Sequence, residues 1–234
     1  MKIKSILKLG TLALLTAALP ACSFLDTDPQ IIPDDGYYNS EQKLIYGLAG
    51  VYGVLNSEAI YGNYYSLQIA NADDLCYFNN YNNSESRPDR YNHSAGTAAI
   101  YDTWSKLYEG IKNANRYIEA VEKTEIDPGK LSVDIGLYIA EARFLRAWFY
   151  FDLVRFYGRV PLVDENSPQE NAPREELDKV MAFIKGDVEY AVGNLDNIPG
   201  GEVASLGSAL MLRLQIAQYE YDNAEVIACA KAIK

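Results

Sequence analysis

The side chains that most often carry catalysis are sparse in this sequence. His93 is its one histidine, so the chain offers no imidazole pair for a zinc site and no histidine relay. The adjacent acidic pairs Asp73-Asp74 and Glu175-Glu176 are typical of a solvated surface or a helix start, because a glycosidase needs two carboxylates across a cleft. Neither a Gly-x-Ser-x-Gly pattern, a phosphate loop nor a His-Glu-x-x-His pattern occurs. The sequence therefore predicts a protein that is not an enzyme and that holds no metal and no cofactor.

A long polar stretch with aromatic residues is a better candidate for function. Across 73–96 the helical pattern fails, and asparagines and serines are interspersed with Tyr77, Phe78, Tyr81 and Tyr91. Loops longer than about 12 to 15 residues in a compact domain are usually functional or disordered, and the aromatic residues argue against disorder. The chain has 19 tyrosines, an excess that serves either helix packing or a ligand surface.

Composition excludes two further classes of protein. Lys and Arg number 21 against 32 Asp and Glu, which gives a net charge of -11 and no visible basic patch. Nucleic acid would repel such a surface, so no nucleic-acid partner is expected. After Cys22, the remaining cysteines Cys76 and Cys229 are far apart and in no metal-like spacing. They predict no disulfide framework, and Cys229 lies in a helical pattern that favours a buried thiol.

The first residues have the pattern of an export signal. Three lysines within residues 1–8 precede an uncharged apolar run over 9–19, which is too short for a bilayer core that needs roughly 20 residues. The run closes on Leu19-Pro20-Ala21-Cys22, which resembles the lipobox of bacterial lipoproteins and predicts lipidation of Cys22. Ordinary cleavage near Ala21, with Cys22 a chance neighbour, is the alternative. The prolines and aspartates of 23–35 then indicate a tether between lipid and body.

The remaining sequence is organised as helices. Apolar residues recur at helical spacing over 40–56, 59–72, 100–121, 137–157, 177–195, 206–217 and 224–233. The stretch 137–157 is apolar on nearly every side, which predicts a central buried helix. The charged residues of this stretch are expected to form ion pairs at the helix edges; they are Arg143, Arg146, Asp152 and Arg155. The two tryptophans, Trp104 and Trp148, lie in apolar stripes and are expected in the core.

Paired helices with small residues at their contacts predict the fold class. No convincing strand run appears, so the fold is expected to be all-α, a tetratricopeptide-like array of helical hairpins with long loops. Such arrays provide scaffolds and binding grooves. On these grounds alone, a protein-interaction scaffold on the membrane surface is a serious alternative to a ligand-binding protein.

Five sequence blocks in a fixed order carry a resemblance to a known family. They are Leu19-Pro20-Ala21-Cys22, Phe24-Leu25-Asp26-Thr27-Asp28-Pro29, Trp104-Ser105-Lys106-Leu107-Tyr108, the run from Ala140-Glu141-Ala142-Arg143 to Phe156-Tyr157-Gly158, and Val160-Pro161-Leu162-Val163. Together they resemble the SusD/RagB family of nutrient-binding outer-membrane lipoproteins. Because the blocks are spread along most of the chain, similarity of a single helix does not account for them.

The resemblance implies both a function and a place in the cell. It implies a lipid-anchored outer-membrane protein that faces the cell exterior, binds glycans or related nutrients and hands them to a TonB-dependent, SusC-like transporter. We accordingly divide the chain into a signal peptide over 1–21, a lipidated N-terminus and tether over 22–36, and a SusD-like N-terminal helical domain over 37–234. The resemblance implies a full-length protein about twice as long, so this domain is expected to be incomplete at its C-terminus. A non-functional fragment is a further alternative.

The same resemblance points to the polar stretch 73–96 as part of the ligand face. Sugar rings have apolar C–H faces ringed by hydroxyls, which aromatic platforms cover and polar side chains bind. The candidate ligand-binding residues are Asp74, Tyr77, Phe78, Tyr81, Arg87, Tyr91, Asn92 and His93. For any single aromatic residue, folding back onto the helices to hold the loop is the favoured interpretation, and the segment as a whole is a better candidate than its members.

Overall fold

Six α-helices make up most of the described chain. The computed structural model of the protein describes residues 37–62, 93–166, 172–197 and 202–233. Its helices are α1 (Glu41–Tyr52), α2 (Ala98–Glu122), α3 (Ile135–Tyr157), α4 (Leu177–Asn194), α5 (Leu206–Tyr219) and α6 (Asn223–Ala232), with 3-10 turns at Gly53–Leu55 and Pro128–Lys130. The β-structure of these residues is limited to one isolated antiparallel bridge between Pro161 and Arg174. The prediction of an all-α fold is therefore confirmed.

The predicted helix over 59–72 is the exception among the helix predictions. Its described start forms turns in which the carbonyl of Ser57 accepts from the backbone N–H groups of Ile60, Tyr61 and Gly62. The hydroxyl of Ser57 also accepts from Ala59 N at 3.2 Å, a local bond that competes with helix formation. Residues 63–72 lie outside the described part of the chain. None of the described helices combines the length and the apolar character that a membrane span requires.

Helix α3 is the centre of the fold, as its sequence predicts. It packs most extensively against α2 and α4 and also contacts α1 and α5, and 15 of its 23 residues are buried. Helix α2 approaches so closely that a Cβ at Gly110 would lie 2.5 Å from Cε2 of Phe149. Glycine at this position therefore allows the two helices to meet.

A buried arginine joins four parts of the structure. Arg146 of α3 is 1% exposed, and its Nε and Nη2 donate to the two carboxylate oxygens of Asp187 on α4 at 2.7 and 2.8 Å. Its Nη1 donates to Oδ1 of Asn115 on α2 at 2.8 Å and also to Glu165 in the connection after α3. Burial lowers the pKa of Arg146, but the bonds and charges of Asp187 and Glu165 outweigh this effect and raise it above its ordinary value. The guanidinium therefore stays charged.

The other charged residues of α3 are also paired. Arg143 lies 3.5 Å from Glu122 and 4.0 Å from Asp187, and its guanidinium stacks on the ring of Tyr190 at 4.3 Å. Arg155 contacts Asp152 at 3.0 Å one turn earlier on the same helix. The ion pairing predicted for these four residues is confirmed, but the predicted location at the helix edges is wrong for Arg146 and Asp152, which are buried.

A tyrosine and a glutamate connect α1, α3 and the start of α5. The hydroxyl of Tyr52 donates to Oε2 of Glu141 at 2.6 Å and accepts from Ala204 N at 2.7 Å. Burial raises the pKa of Glu141, and the bond from Tyr52 only partly opposes this effect. At neutral pH this carboxylate therefore costs stability.

The turn between α5 and α6 contains a strained residue. Tyr221 has φ of 60°, and the bonds from its N–H to Gln218 O and from Asp222 N to Ala217 O form a Schellman motif. Glycine is usual at this position because a side chain there clashes with the backbone. Tyr221 is 89% exposed, so packing of its side chain does little to offset the strain. Asp222 then caps α6 by accepting from Ala224 N and Glu225 N.

Glycine at position 221 should stabilise the chain. We expect Tyr221→Gly to raise the free energy of unfolding in urea by about 0.5–1 kcal/mol, because relief of the positive φ exceeds the added freedom of the unfolded chain. Tyr221→Ala removes the same ring but keeps the strain, so it serves as the control and should show no comparable gain. A loss of stability in Tyr221→Gly would contradict this explanation.

Glutamine at position 141 should remove a pH-dependent loss of stability. The folded pKa of Glu141 lies above the ordinary value of 4.5, so its contribution to stability is largest below that value and is lost as the pH rises through the folded pKa. We expect the stability of Glu141→Gln relative to the wild type to increase between about pH 4.5 and pH 7.5 in urea titrations. The exposed residue Glu125 provides the control, because Glu125→Gln removes the same charge from the surface and should not reproduce this increase. A constant difference for Glu141→Gln would refute the assignment.

Candidate functional site

Most of the predicted site residues lie outside the described part of the chain. His93 is described, and it is exposed and precedes the turn that leads into α2. The others are not described and remain predictions: Asp74, Tyr77, Phe78, Tyr81, Arg87, Tyr91 and Asn92, together with the lipidation site Cys22. The site is therefore built here from the residues that flank 63–92.

The structure brings the two flanks of 63–92 together. Oγ1 of Thr103, in the second turn of α2, donates to the carbonyl of Ala59 at 2.6 Å, and both residues are buried. At the start of α2, Ser94 and Thr97 form a turn in which Ser94 N donates to Thr97 Oγ1 at 3.0 Å. The described residues on the two sides of 63–92 thus meet at the N-terminal half of α2.

An aromatic cavity lies beside the first flank. Its volume is about 450 Å³, and its lining includes Tyr52, Tyr61, Phe144 and Trp148. The ring of Trp148 meets Tyr61 at 6.3 Å and Phe144 at 5.7 Å, both edge to face. Trp148 is packed against the core, as predicted, but it is only partly buried and forms part of a surface cavity. The assignment of this residue to the core alone is too simple.

A second aromatic cavity lies along α2. Its volume is about 490 Å³, and it is lined by Trp104, Ser105, Tyr108, Glu109 and Lys112 of α2 and by Pro161, Val163 and Ala172 on the opposite side. Trp104 packs against Tyr108 and Tyr157 with ring centroids 5.0 Å apart in both cases. Like Trp148, it is partly buried against the core and also faces a cavity. We call this surface the α2 cleft.

Tyrosine hydroxyls fix the position of the cleft. Tyr108 donates to the carbonyl of Pro161 at 2.7 Å, and Tyr157 donates to the carbonyl of Ile100 at 2.8 Å. Burial raises the pKa of both hydroxyls. They therefore remain neutral hydrogen-bond donors at physiological pH and do not act as acids or bases.

The buried carboxylates among the described residues are engaged within the fold. Among all the described residues, no group of three or more histidine, cysteine or acidic side chains could hold a metal ion. The buried carboxylates of Glu141 and Asp187 are engaged by Tyr52 and Arg146. What the flanks of 63–92 offer is aromatic surface edged by polar groups.

The sequence contained a signal for the α2 cleft that periodicity alone does not reveal. Trp104 and Tyr108 are four residues apart and form one row along the helix. Ser105, Glu109 and Lys112 are separated by four and then three residues and form a second row beside it. An aromatic row directly beside a polar row indicates the border of a buried face. Such a border is where a surface cavity can form.

Comparison with known proteins identifies the family of the chain. Residues 23–203 match a model of the SusD-like family described as "Starch-binding associating with outer membrane". The chain is 27% identical over 187 residues to SusD-like protein P25 of Formosa agariphila, covering 75% of this chain and 35% of that protein. It is 30% identical over 125 residues to a SusD-like protein of Bacteroides ovatus, covering 51% of this chain and 23% of that protein. The chain thus spans about a third or less of the length of these two relatives.

Solved structures agree on the fold. A SusD homolog from Bacteroides thetaiotaomicron is 27% identical, with a TM-score of 0.69 over 86% of this chain and 41% of that one. A laminarin-binding SusD-like protein is 24% identical and shows the same fold, with a TM-score of 0.72 over 84% of this chain and 44% of that one. These structures confirm the predicted SusD-like helical superhelix. The chain therefore belongs to the SusD-like family, a starch-binding family that associates with the outer membrane.

Proposed function

We propose that the chain is part of a lipid-anchored protein on the cell exterior that binds glycans and hands them to a TonB-dependent outer-membrane transporter. The observation that carries this proposal is the family match over residues 23–203, because the family is described as starch-binding and associated with the outer membrane. A structural neighbour that binds laminarin supports a glycan as the ligand. The transporter is the partner that the SusD/RagB resemblance implies.

The start of the family match supports the proposed processing of the chain. The match begins at residue 23, directly after Cys22. This boundary fits a signal peptide over 1–21, a lipidated Cys22 and a tether up to residue 36, followed by the helical domain over 37–234. One acyl chain gives marginal membrane binding, whereas several make the anchor effectively permanent.

Aromatic platforms in 73–96 would capture the glycan by many weak contacts. A tyrosine or phenylalanine ring that covers about 60 Å² of a sugar face contributes about 1.5 kcal/mol at 25 cal/mol per Å². Two or three such platforms give binding that is strong enough to concentrate a ligand and weak enough to release it to a transporter. Asp74, Arg87, Asn92 and His93 would then bind hydroxyl groups around the ring, with the charged side chains giving the stronger bonds.

Loss of single aromatic residues in 73–96 should weaken glycan binding. We expect Tyr77→Ala, Phe78→Ala and Tyr81→Ala each to weaken the binding of maltohexaose or laminarihexaose in calorimetric titrations by about tenfold, the equivalent of one platform. Tyr46→Ala is the matched control, because Tyr46 is a 61% exposed tyrosine of α1 and should have no effect. Unchanged binding in all three variants would contradict the assignment of this segment. A wild type that binds no glycan would favour the protein-interaction scaffold, and turnover of a chromogenic glycoside would show an enzyme.

Removal of Cys22 should release the protein from the membrane. We expect Cys22→Ala to incorporate no radioactive fatty acid and to leave the outer-membrane fraction, because the anchor is attached to this sulfur. Cys76→Ala keeps Cys22 and should be labelled like the wild type. Equal labelling of Cys22→Ala and the wild type would refute the lipoprotein assignment.

A further inference from the structure

The α2 cleft has two parallel rows of side chains on one wall. Trp104 and Tyr108 form an aromatic row, and Ser105, Glu109 and Lys112 form a polar row beside it. At 1.5 Å per residue, the polar row extends over about 10 Å of the helix axis. The cavity volume of about 490 Å³ lies within the range of roughly 300–1,000 Å³ that small-molecule sites occupy.

The opposite wall is held rigidly by hydrogen bonds between side chains and its main-chain atoms. Pro161 O accepts from Tyr108, and Val163 O accepts from Asn115 Nδ2 at 3.2 Å and from the hydroxyl of Tyr150 at 2.6 Å. Val163 N donates back to the hydroxyl of Tyr150 at 2.8 Å. A ligand therefore meets a cleft whose walls are already in position, which lowers the entropic cost of binding.

The polar row has hydrogen-bonding capacity that the described residues leave unused. Within them, Ser105 and Lys112 make no hydrogen bond or ion pair with another side chain. Glu109 accepts from Lys106 at 2.6 Å through Oε2 alone, and both side chains of this pair are well exposed. Such an exposed pair contributes little and exchanges readily with a ligand. The row thus offers a hydroxyl, a carboxylate and an ammonium group to whatever occupies the cleft.

We propose that the α2 cleft is a second glycan-binding site, separate from 73–96, which takes a neutral oligosaccharide along α2. An aromatic face attracts the weakly positive C–H face of a sugar ring, and hydroxyl groups can both donate to Glu109 and accept from Lys112. An apolar ligand would leave the polar row unused, and the opposite charges of Glu109 and Lys112 favour neither an anionic nor a cationic ligand. The length of the polar row exceeds one sugar ring, so the occupant is an oligosaccharide. This proposal rests on the proposed function, since it assigns a further surface to the same ligand class.

Calorimetry on surface variants tests the α2 cleft. The background is the chain with Tyr77, Phe78 and Tyr81 all changed to alanine, so that 73–96 contributes least, and the probes are maltohexaose and laminarihexaose. We expect Lys112→Ala and Ser105→Ala each to weaken the binding of one probe by about three- to tenfold, the effect of one hydrogen bond. Lys123→Ala removes the same charge from the C-terminal end of α2, outside the cleft, and should leave binding unchanged.

Fluorescence gives a second readout of the α2 cleft. The chain has two tryptophans, so Trp148→Phe makes Trp104 the sole tryptophan emitter. Its emission should change saturably with the sugar, both in the otherwise wild-type chain and in the chain with the triple alanine change. If Trp148→Phe does not fold, the calorimetry still decides, because Lys112 is an exposed residue.

The outcomes separate this inference from the proposed function. Glycan binding that is abolished by the triple alanine change, with no response of Trp104, would overturn the second site and leave the first intact. Equal binding by Lys112→Ala, Ser105→Ala and their parent would also overturn it. The absence of any binding up to about 10 mM sugar in every variant and in the wild type would overturn both proposals.

Discussion

The burial of one guanidinium group determines how the described helices are arranged. A charge removed from water costs several kcal/mol unless opposite charges and hydrogen bonds surround it. Arg146 obtains these partners from α2, from α4 and from the connection after α3, through Asn115, Asp187 and Glu165. Since no one element supplies enough of them, all of these parts must assemble together. Glu165 lies two residues after Val163, so the same requirement holds the chain next to the Pro161–Val163 wall.

Tyrosine hydroxyls complete the assembly that the arginine begins. Tyr117 donates to Leu44 O at 3.1 Å, Tyr157 to Ile100 O and Tyr108 to Pro161 O, so each joins an aromatic core residue to the main chain of another segment. Phenylalanine would fill the same volume without these directional bonds. Helix packing with a fixed geometry thus explains part of the tyrosine excess. Other tyrosines lie in 73–96, where their role in ligand binding remains a prediction.

Hydrophobic periodicity predicts the helices well and their surfaces poorly. The stretch 100–121 corresponds to the observed Ala98–Glu122, because a long apolar stripe has one good solution. The turns at Ser57 depend on a local hydroxyl bond that competes with a weak helical pattern. The two tryptophans follow the apolar stripes, so periodicity places them in the core and is silent about the cavity on their other side. The turn at Tyr221 could not be predicted from a glycine, because a tyrosine occupies the position with positive φ.

The hydrogen bonds that hold the opposite wall of the α2 cleft affect how its ligand specificity can change through mutation. The bonds that position this wall all end on main-chain atoms of Pro161 and Val163. Replacement of the side chains along it therefore changes the shape and chemistry that a ligand meets without displacing the backbone. In a scaffold of this kind, the residues that maintain the fold differ from the side chains that contact the ligand. Substitutions along the wall can therefore change ligand specificity without changing the packing of the helices.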